Sequence, residues 1–249
     1  MNAKNEIPKL VDFIKQQVSG ANRVGCVVGV SGGIDSAVIV ALCKLAYPDT
    51  TVGVNMPYKV DNKASTQRAE ALCKQLDVPL LLDIVEPVNS YKNFPTDSAF
   101  DPYKLAQGNM QARMRMAKLY YHAERLQCLV VGTDNKSENY IGFFTKFGDG
   151  GVDINPIGQY YKSEVYELAK ELGITQDIID TAPTPEFTEL TDEEEFGFTY
   201  DELELAIRRA EDNDVSDFKT LREKEVFFKV RRMHLNTEHK RIMPLEFQR

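Results

Sequence analysis

The sequence has little that would tie it to an extracellular, membrane or nucleic-acid setting. Cysteine is scarce: four in 249 residues, Cys26, Cys43, Cys73 and Cys128, with no CxxC pair. That scatter offers neither a disulfide framework nor the spacing of a zinc site, and each thiol sits in an apolar neighbourhood where buried cysteines belong. A reduced, cytoplasmic protein is expected. Long hydrophobic runs are also missing. VGCVVGV and AVIVAL are short, whereas a bilayer span takes about 20 residues. The opening MNAKNEIPKL lacks the basic and apolar regions of a secretory signal. Nor is there an excess of positive charge: 30 Lys and Arg against 38 Asp and Glu leave a net −8. Such a balance gives no broad attraction for nucleic acid, although a local basic site for a small anion stays open.

What is present is a globular mixture, in a chain long enough to bury a core without disulfides or metal. Residues 7–18 carry Ile7, Leu10, Val11, Ile14 and Val18 at helical spacing. The run Val24–Val30 reads as a strand apolar on both faces, as in a buried parallel sheet. A helix Ala37–Tyr47, a strand Thr51–Met56, a helix Asn62–Leu76 and a strand Pro79–Ile84 follow. A long helix over Tyr103–Leu126 then leads to a strand Cys128–Val131. Strand and helix in alternation predict an α/β fold with a doubly wound, mainly parallel sheet. Ligands bind such sheets beyond the carboxyl ends of their strands.

After Gly132 the alternation stops. Residues 133–161 hold five glycines, and long irregular stretches of this kind are usually functional. A helix is expected at Ser163–Leu172, a lid at Thr181–Gly197, and helices at Tyr200–Ala210 and Val215–Met233 before a basic tail. No repeat or linker divides the chain, so residues 1–249 are expected to form one domain.

The strongest motif is Gly29, Val30, Ser31, Gly32, Gly33, Ile34, Asp35 and Ser36, between the first strand and the first internal helix. Its glycines allow a tight turn that presents N–H groups, and the helix adds its positive dipole end, which makes an anion cradle. The Lys-Ser/Thr pair of a Walker A loop is absent. Asp35 is the informative residue. A carboxylate beside a phosphate is repulsive unless a cation lies between them, which suggests Mg²⁺. The plainer alternative is a glycine turn with Asp35 or Ser36 as a helix cap. Further on, Asn109 and Arg113 are four apart and share a helix face. Arg113 can grip a phosphate or carboxylate bidentately. Glu138 follows the fourth strand and could share a cation with Asp35.

SGGIDS resembles the pyrophosphate loop of ATP pyrophosphatases, a superfamily that includes NAD, GMP and asparagine synthetases. Four further segments choose among them: GNMQARMRM (108–116), GTDNKSE (132–138), FFTKFGDGGVDINPIG (143–158) and TEHKRIMP (237–244). In order and spacing they resemble the ammonia-dependent NAD⁺ synthetase family over essentially the whole chain. A GMP synthetase core would share SGGIDS but not TKFGDGGVD, and a non-catalytic nucleotide-binding module would not need two acids near the phosphates.

The resemblance implies an acyl-adenylate route from deamido-NAD⁺, ATP and ammonia to NAD⁺, and it implies a homodimer. By position in the family pattern, Thr133 and Thr184 join the loop in contacting ATP, and Lys162 meets its phosphates. Arg113, Lys146, Asp153, His239 and Lys240 would hold deamido-NAD⁺, Asp35 and Glu138 the Mg²⁺, and Asp149 would help to deprotonate ammonia. The lid departs from the pattern: PTPEFTELTDEEEFG (183–197) is a residue shorter than usual and lacks both a Trp-Pro and a Gln. Its contacts with substrate are therefore expected to differ.

Overall fold

The computed structural model describes residues 1–58, 63–86, 102–184 and 190–247. The apolar runs form a parallel sheet of β1 (Gly25–Gly29), β2 (Thr51–Asn55), β3 (Leu80–Leu82) and β4 (Cys128–Val131), in the order β3-β2-β1-β4. Val27 pairs with Val52 on one side and Val130 on the other. Side chains alternate along β1, so Cys26 and Val28 enter one core and Val27 the opposite one. Both faces are covered, which is why this strand is apolar without alternation.

Helices α1 (Ala3–Gly20), α2 (Ile34–Ala46), α3 (Lys63–Gln75) and α6 (Lys162–Glu171) contribute to the core on the Cys26 and Val28 face. On the Val27 face the sheet is covered by α4 (Pro102–Leu126). The doubly wound expectation holds. From β1 the chain runs through α2 to β2, while β4 lies on the other side of β1. The loops after β1 and β4 therefore face each other at the carboxyl edge of the sheet, where such sheets bind ligands.

A second core joins α5 (Lys136–Ile141), α9 (Tyr200–Glu211) and α10 (Leu221–Asn236) through Ile141, Leu203, Ile207 and Phe227. The short helix α8 (Asp192–Phe196) inserts Phe196 into it. Single turns α7 (Gln176–Ile179) and α11 (Glu238–Arg241) complete the described elements.

One expectation shifts. The last long helix starts at Leu221 rather than Val215, because Asp217 takes a left-handed φ of 56° and Thr220 caps the new start. Of the expected lid, residues 185–189 lie outside the described residues, and Asp192–Phe196 form a short helix. Thr191 and Glu194 cap that helix reciprocally, a Thr-x-x-Glu signal readable in the sequence.

Candidate active site

The loop after β1 is held open by its own hydroxyls. Ser31 N donates to Ser36 Oγ (3.3 Å), Gly33 N to Ser31 Oγ (3.2 Å), and Ser36 Oγ to Gly33 O (3.0 Å). Gly32 has φ +86°, and a Cβ there would stand 2.3 Å from Ser65 O, so only glycine fits. Helix α2 starts with Gly33 as its cap and no side-chain bond to its first turn. Its leading N–H groups and positive dipole end are thus not consumed by a cap.

Across the sheet edge, Asn135 caps α5 by accepting from Glu138 N (3.1 Å) and donates its Nδ2 to Asp35 Oδ1 (3.0 Å). Lys162, the first residue of α6, reaches between the two loops. Its Nζ lies 2.6 Å from Asp35 Oδ2 and 3.0 Å from Glu138 Oε1. The structure thus brings together three residues expected at the nucleotide end. The Lys162 side chain is 3% exposed, while those of Asp35 and Glu138 are 18% and 14% exposed. Both acid side chains therefore stay partly exposed.

Burial works against charge on Lys162, but Asp35 and then Glu138 outweigh it and hold the ammonium charged. Burial pushes the Glu138 carboxyl up to about 7 against the opposing pull of Lys162. Tyr200, at the start of α9, places its hydroxyl 3.1 Å from Glu138 Oε1 and 2.7 Å from Asp192 Oδ2. A phenol has one hydrogen, so both contacts are satisfied when one acid is protonated, and burial raises both carboxyls. Asp134 is buried nearby, and burial first, then Asp149, Glu138 and Asp35, drive its carboxyl well up.

Two half-buried carboxylates that converge on one cation are hard oxygen donors of the kind Mg²⁺ takes from a protein, with phosphates and water as the remainder. Among the described residues no cluster of three or more His, Cys, Asp or Glu is arranged to hold an ion. The residues fit a Mg²⁺ shared with a nucleotide.

The other expected residues gather elsewhere. Asp149 accepts from Thr145 N (2.8 Å), and burial raises its carboxyl. Thr145 Oγ1 donates to Asn109 Oδ1 (2.7 Å), tying the glycine-rich segment to α4. Lys240 Nζ donates to the carbonyls of Gly142 and Phe144, both at 2.9 Å. Burial lowers its pKa, Asp149 opposes that, and Arg113 adds to it, which marks the three as neighbours in charge. Lys146 Nζ donates to His239 O and to Ile242 O (3.0 Å). Arg113 and the His239 side chain are exposed.

Among the described residues, Asp153 is not joined to either cluster by a hydrogen bond. It accepts from Val130 N (2.8 Å) and the Tyr120 hydroxyl (3.1 Å) beside β4. Thr133 is half-buried just after β4, and Thr184 is exposed.

Sequence reasoning missed Asn135, Asp192 and Tyr200. Asn135 and Asp192 carried a signal in the capping spacings Asn135-x-x-Glu138 and Thr191-x-x-Glu194. Tyr200 carried none, because at helical spacing it reads only as core. Glu204 was also missed; it is buried and accepts from Ser163 N (2.9 Å), Ser163 Oγ (2.6 Å) and Ser137 Oγ (3.4 Å). It thereby ties α9 to the start of α6, next to Lys162.

A family model described as NAD synthase matches residues 6–244. The chain belongs to the NAD synthase family. It is 40% identical to an NH(3)-dependent NAD(+) synthetase of Mesoplasma florum, covering 100% of both chains. It is 38% identical to one of Carboxydothermus hydrogenoformans, covering 98% of this chain and 97% of that one. Among solved structures, NH3-dependent NAD synthetase from Campylobacter jejuni aligns over 100% of both chains with TM-score 0.79 and 31% identity. NMN synthetase from Francisella tularensis aligns over 99% of this chain and 98% of its own, with TM-score 0.86 and 31% identity.

Proposed function

We propose that the chain catalyses ATP-dependent amidation of deamido-NAD⁺ by ammonia, forming NAD⁺, AMP and pyrophosphate. The observation that carries this reading is the Asp35–Lys162–Glu138 cluster at the mouth of an anion-cradling loop, within a chain of this family. The nicotinate carboxylate attacks the α-phosphorus of ATP, and pyrophosphate leaves. Ammonia then attacks the acyl carbon of the adenylate, and AMP leaves.

In this reading the Gly29–Ser36 loop and Thr133 cradle ATP, with Thr184 at the edge. Lys162 neutralises phosphate charge, and fixed positive groups of this kind supply much of such catalysis. Asp35 and Glu138 would hold Mg²⁺, which when bound neutralises charge on the phosphate oxygens. Arg113, Lys146, Asp153, His239 and Lys240 hold deamido-NAD⁺, and Asp149 takes a proton from the attacking nitrogen. We assign the enzyme to the cytoplasm as a homodimer. Four unpaired, buried cysteines support the first, and the family resemblance supports the second. No described helix is long and apolar enough to cross a membrane.

A second reading, amidation of the mononucleotide acid, is favoured by the TM-score of 0.86 with a protein named NMN synthetase. The test is pyrophosphate release from ATP with deamido-NAD⁺, nicotinate mononucleotide, xanthosine monophosphate or no acceptor. Deamido-NAD⁺ is expected to stimulate most. A preference for the mononucleotide moves the assignment to the second reading, and stimulation by xanthosine monophosphate alone removes both.

Ammonium chloride against ammonia-free glutamine then fixes the nitrogen source. All four cysteines are buried, so none offers the exposed, activated thiol that glutamine cleavage requires. Glutamine turnover equal to that with ammonium would overturn this part.

A further inference from the structure

Among the described residues, each acid of the cluster has the shared Lys162 and one further hydrogen-bonding neighbour that carries no charge. For Asp35 that neighbour is Asn135, at 3.0 Å. For Glu138 it is the Tyr200 hydroxyl, at 3.1 Å. A neutral partner aims a carboxylate without cancelling the charge that a metal ion needs.

Both neighbours are themselves aimed. The Asn135 carbonyl is engaged by Glu138 N (3.1 Å), which turns its amide nitrogen toward Asp35. The Tyr200 hydroxyl is engaged by Asp192 Oδ2 (2.7 Å), and its ring packs edge-on against Phe196. Asp192 is only 5% exposed, and it is the first residue of α8. Its backbone N donates to Pro183 O (3.1 Å), so the chain on both sides of residues 185–189 meets at this point. A continuous path runs from α8 through Asp192 and Tyr200 to Glu138.

We propose that Asp192 and Tyr200 are positioning residues for the cation seat: with α8 in place they aim Glu138, so that it pairs with Asp35 on a divalent ion. The inference rests on the reading of Asp35 and Glu138 given above. Neither residue needs to touch substrate, which separates their role from that of the two acids.

The test is a calorimetric titration of MgCl₂ into the full chain with α,β-methylene ATP, a nucleotide that cannot lose pyrophosphate. Wild type, Tyr200→Phe, Asp192→Ala and the double variant are compared, with thermal melting in parallel without Mg²⁺. A lost hydrogen bond to a charged group predicts a half-saturating Mg²⁺ concentration about tenfold higher in each single variant. The double variant should go no further than the weaker single variant, because both changes interrupt one path. Tyr200→Phe keeps the ring and its packing on Phe196, so it decides the matter even where Asp192→Ala does not fold.

An unchanged Mg²⁺ titration in Tyr200→Phe overturns the proposal, whatever happens to its melting temperature. Independent, multiplying effects in the double variant overturn it as well. If wild type itself shows no Mg²⁺-dependent binding of the analogue, the seat assignment falls, and that result is distinct from either of the others.

Discussion

The two charged clusters use their lysines in opposite ways. Lys162 pairs with side-chain carboxylates, those of Asp35 and Glu138. Lys146 and Lys240 instead bind backbone carbonyls, those of His239, Ile242, Gly142 and Phe144. In the first cluster another cation can take over a carboxylate oxygen without breaking any backbone hydrogen bond. In the second, a substrate anion must compete with carbonyls that fasten residues 142–147 to the C-terminal helix. A charge paired with a charge makes an adjustable seat; a charge paired with backbone makes a clamp. Position in a family pattern does not tell these apart, and geometry does.

The largest effects should fall on the seat. Asp35→Asn and Glu138→Gln should each lower kcat by about a hundredfold or more, the scale of losing a preorganised charge in a reaction site, with the fold retained. Steady-state rates across a Mg²⁺ series check this, and a near-normal kcat in either variant removes that acid from the site. Lys162→Met leaves two half-buried acids facing each other around a lost buried cation. Breaking a buried pair costs about 3–5 kcal/mol, so melting should fall by roughly 10 °C.

The clamps should show a smaller, mixed effect. Lys240→Ala leaves the Gly142 and Phe144 carbonyls short of a partner, a cost of about 1–3 kcal/mol. It should therefore melt earlier and raise KM for deamido-NAD⁺ together. A raised KM with unchanged melting would break the contrast and make Lys240 a pure ligand. Asp149→Asn, next to this clamp, should slow amide formation more than adenylation, as read by pyrophosphate release against NAD⁺ formation in one turnover. Equal slowing of both steps would deny it the proton-accepting role.

The sheet was legible because β1, β2 and β4 are buried almost throughout, which leaves short unbroken apolar runs in the sequence. The loop Gly29–Ser36 was legible because a left-handed Gly32 and a close approach to Ser65 leave glycine no substitute. Asp35 and Glu138 are 103 residues apart in the chain, and only the β1–β4 pairing makes them neighbours. What stayed hidden were groups whose role lies in contact rather than pattern. Tyr200 sits at a helical position that periodicity assigns to the core, and it is in the core, apart from one oxygen. Lys146 and Lys240, which the family resemblance implies hold substrate, also donate to backbone carbonyls, a contact that no sequence pattern records. The start of α10 was misplaced because a left-handed Asp217 gives no compositional warning.

The smallest expected effect comes from an exposed ion pair, which probes the contrast from outside the site. Glu202 on α9 accepts from Arg222 Nε (2.7 Å) and Nη2 (2.9 Å) and from Thr199 N (2.9 Å). The Arg222 bond, and then the Thr199 N–H, hold its carboxyl at about 2. A folded-state value below the unfolded one means that the folded chain binds the proton less readily. Its stabilisation is therefore complete above the unfolded value of about 4.3 and is lost as pH falls toward 2. The Arg222 and Glu202 side chains are 53% and 31% exposed, so solvent screens the pair and most of the nominal shift does not appear as stability. Glu202→Gln keeps the helix cap and removes the charge. Its melting temperature near neutral pH should drop by no more than about 2 °C. That gap should narrow below about pH 4 and shrink further in high salt. The deficit of Lys162→Met should survive the same salt, because the Lys162 side chain is buried. Melting curves of both variants in low and high salt make the comparison. A Glu202→Gln deficit as large and as salt-resistant as that of Lys162→Met would show that burial is not what separates the seat from an ordinary ion pair.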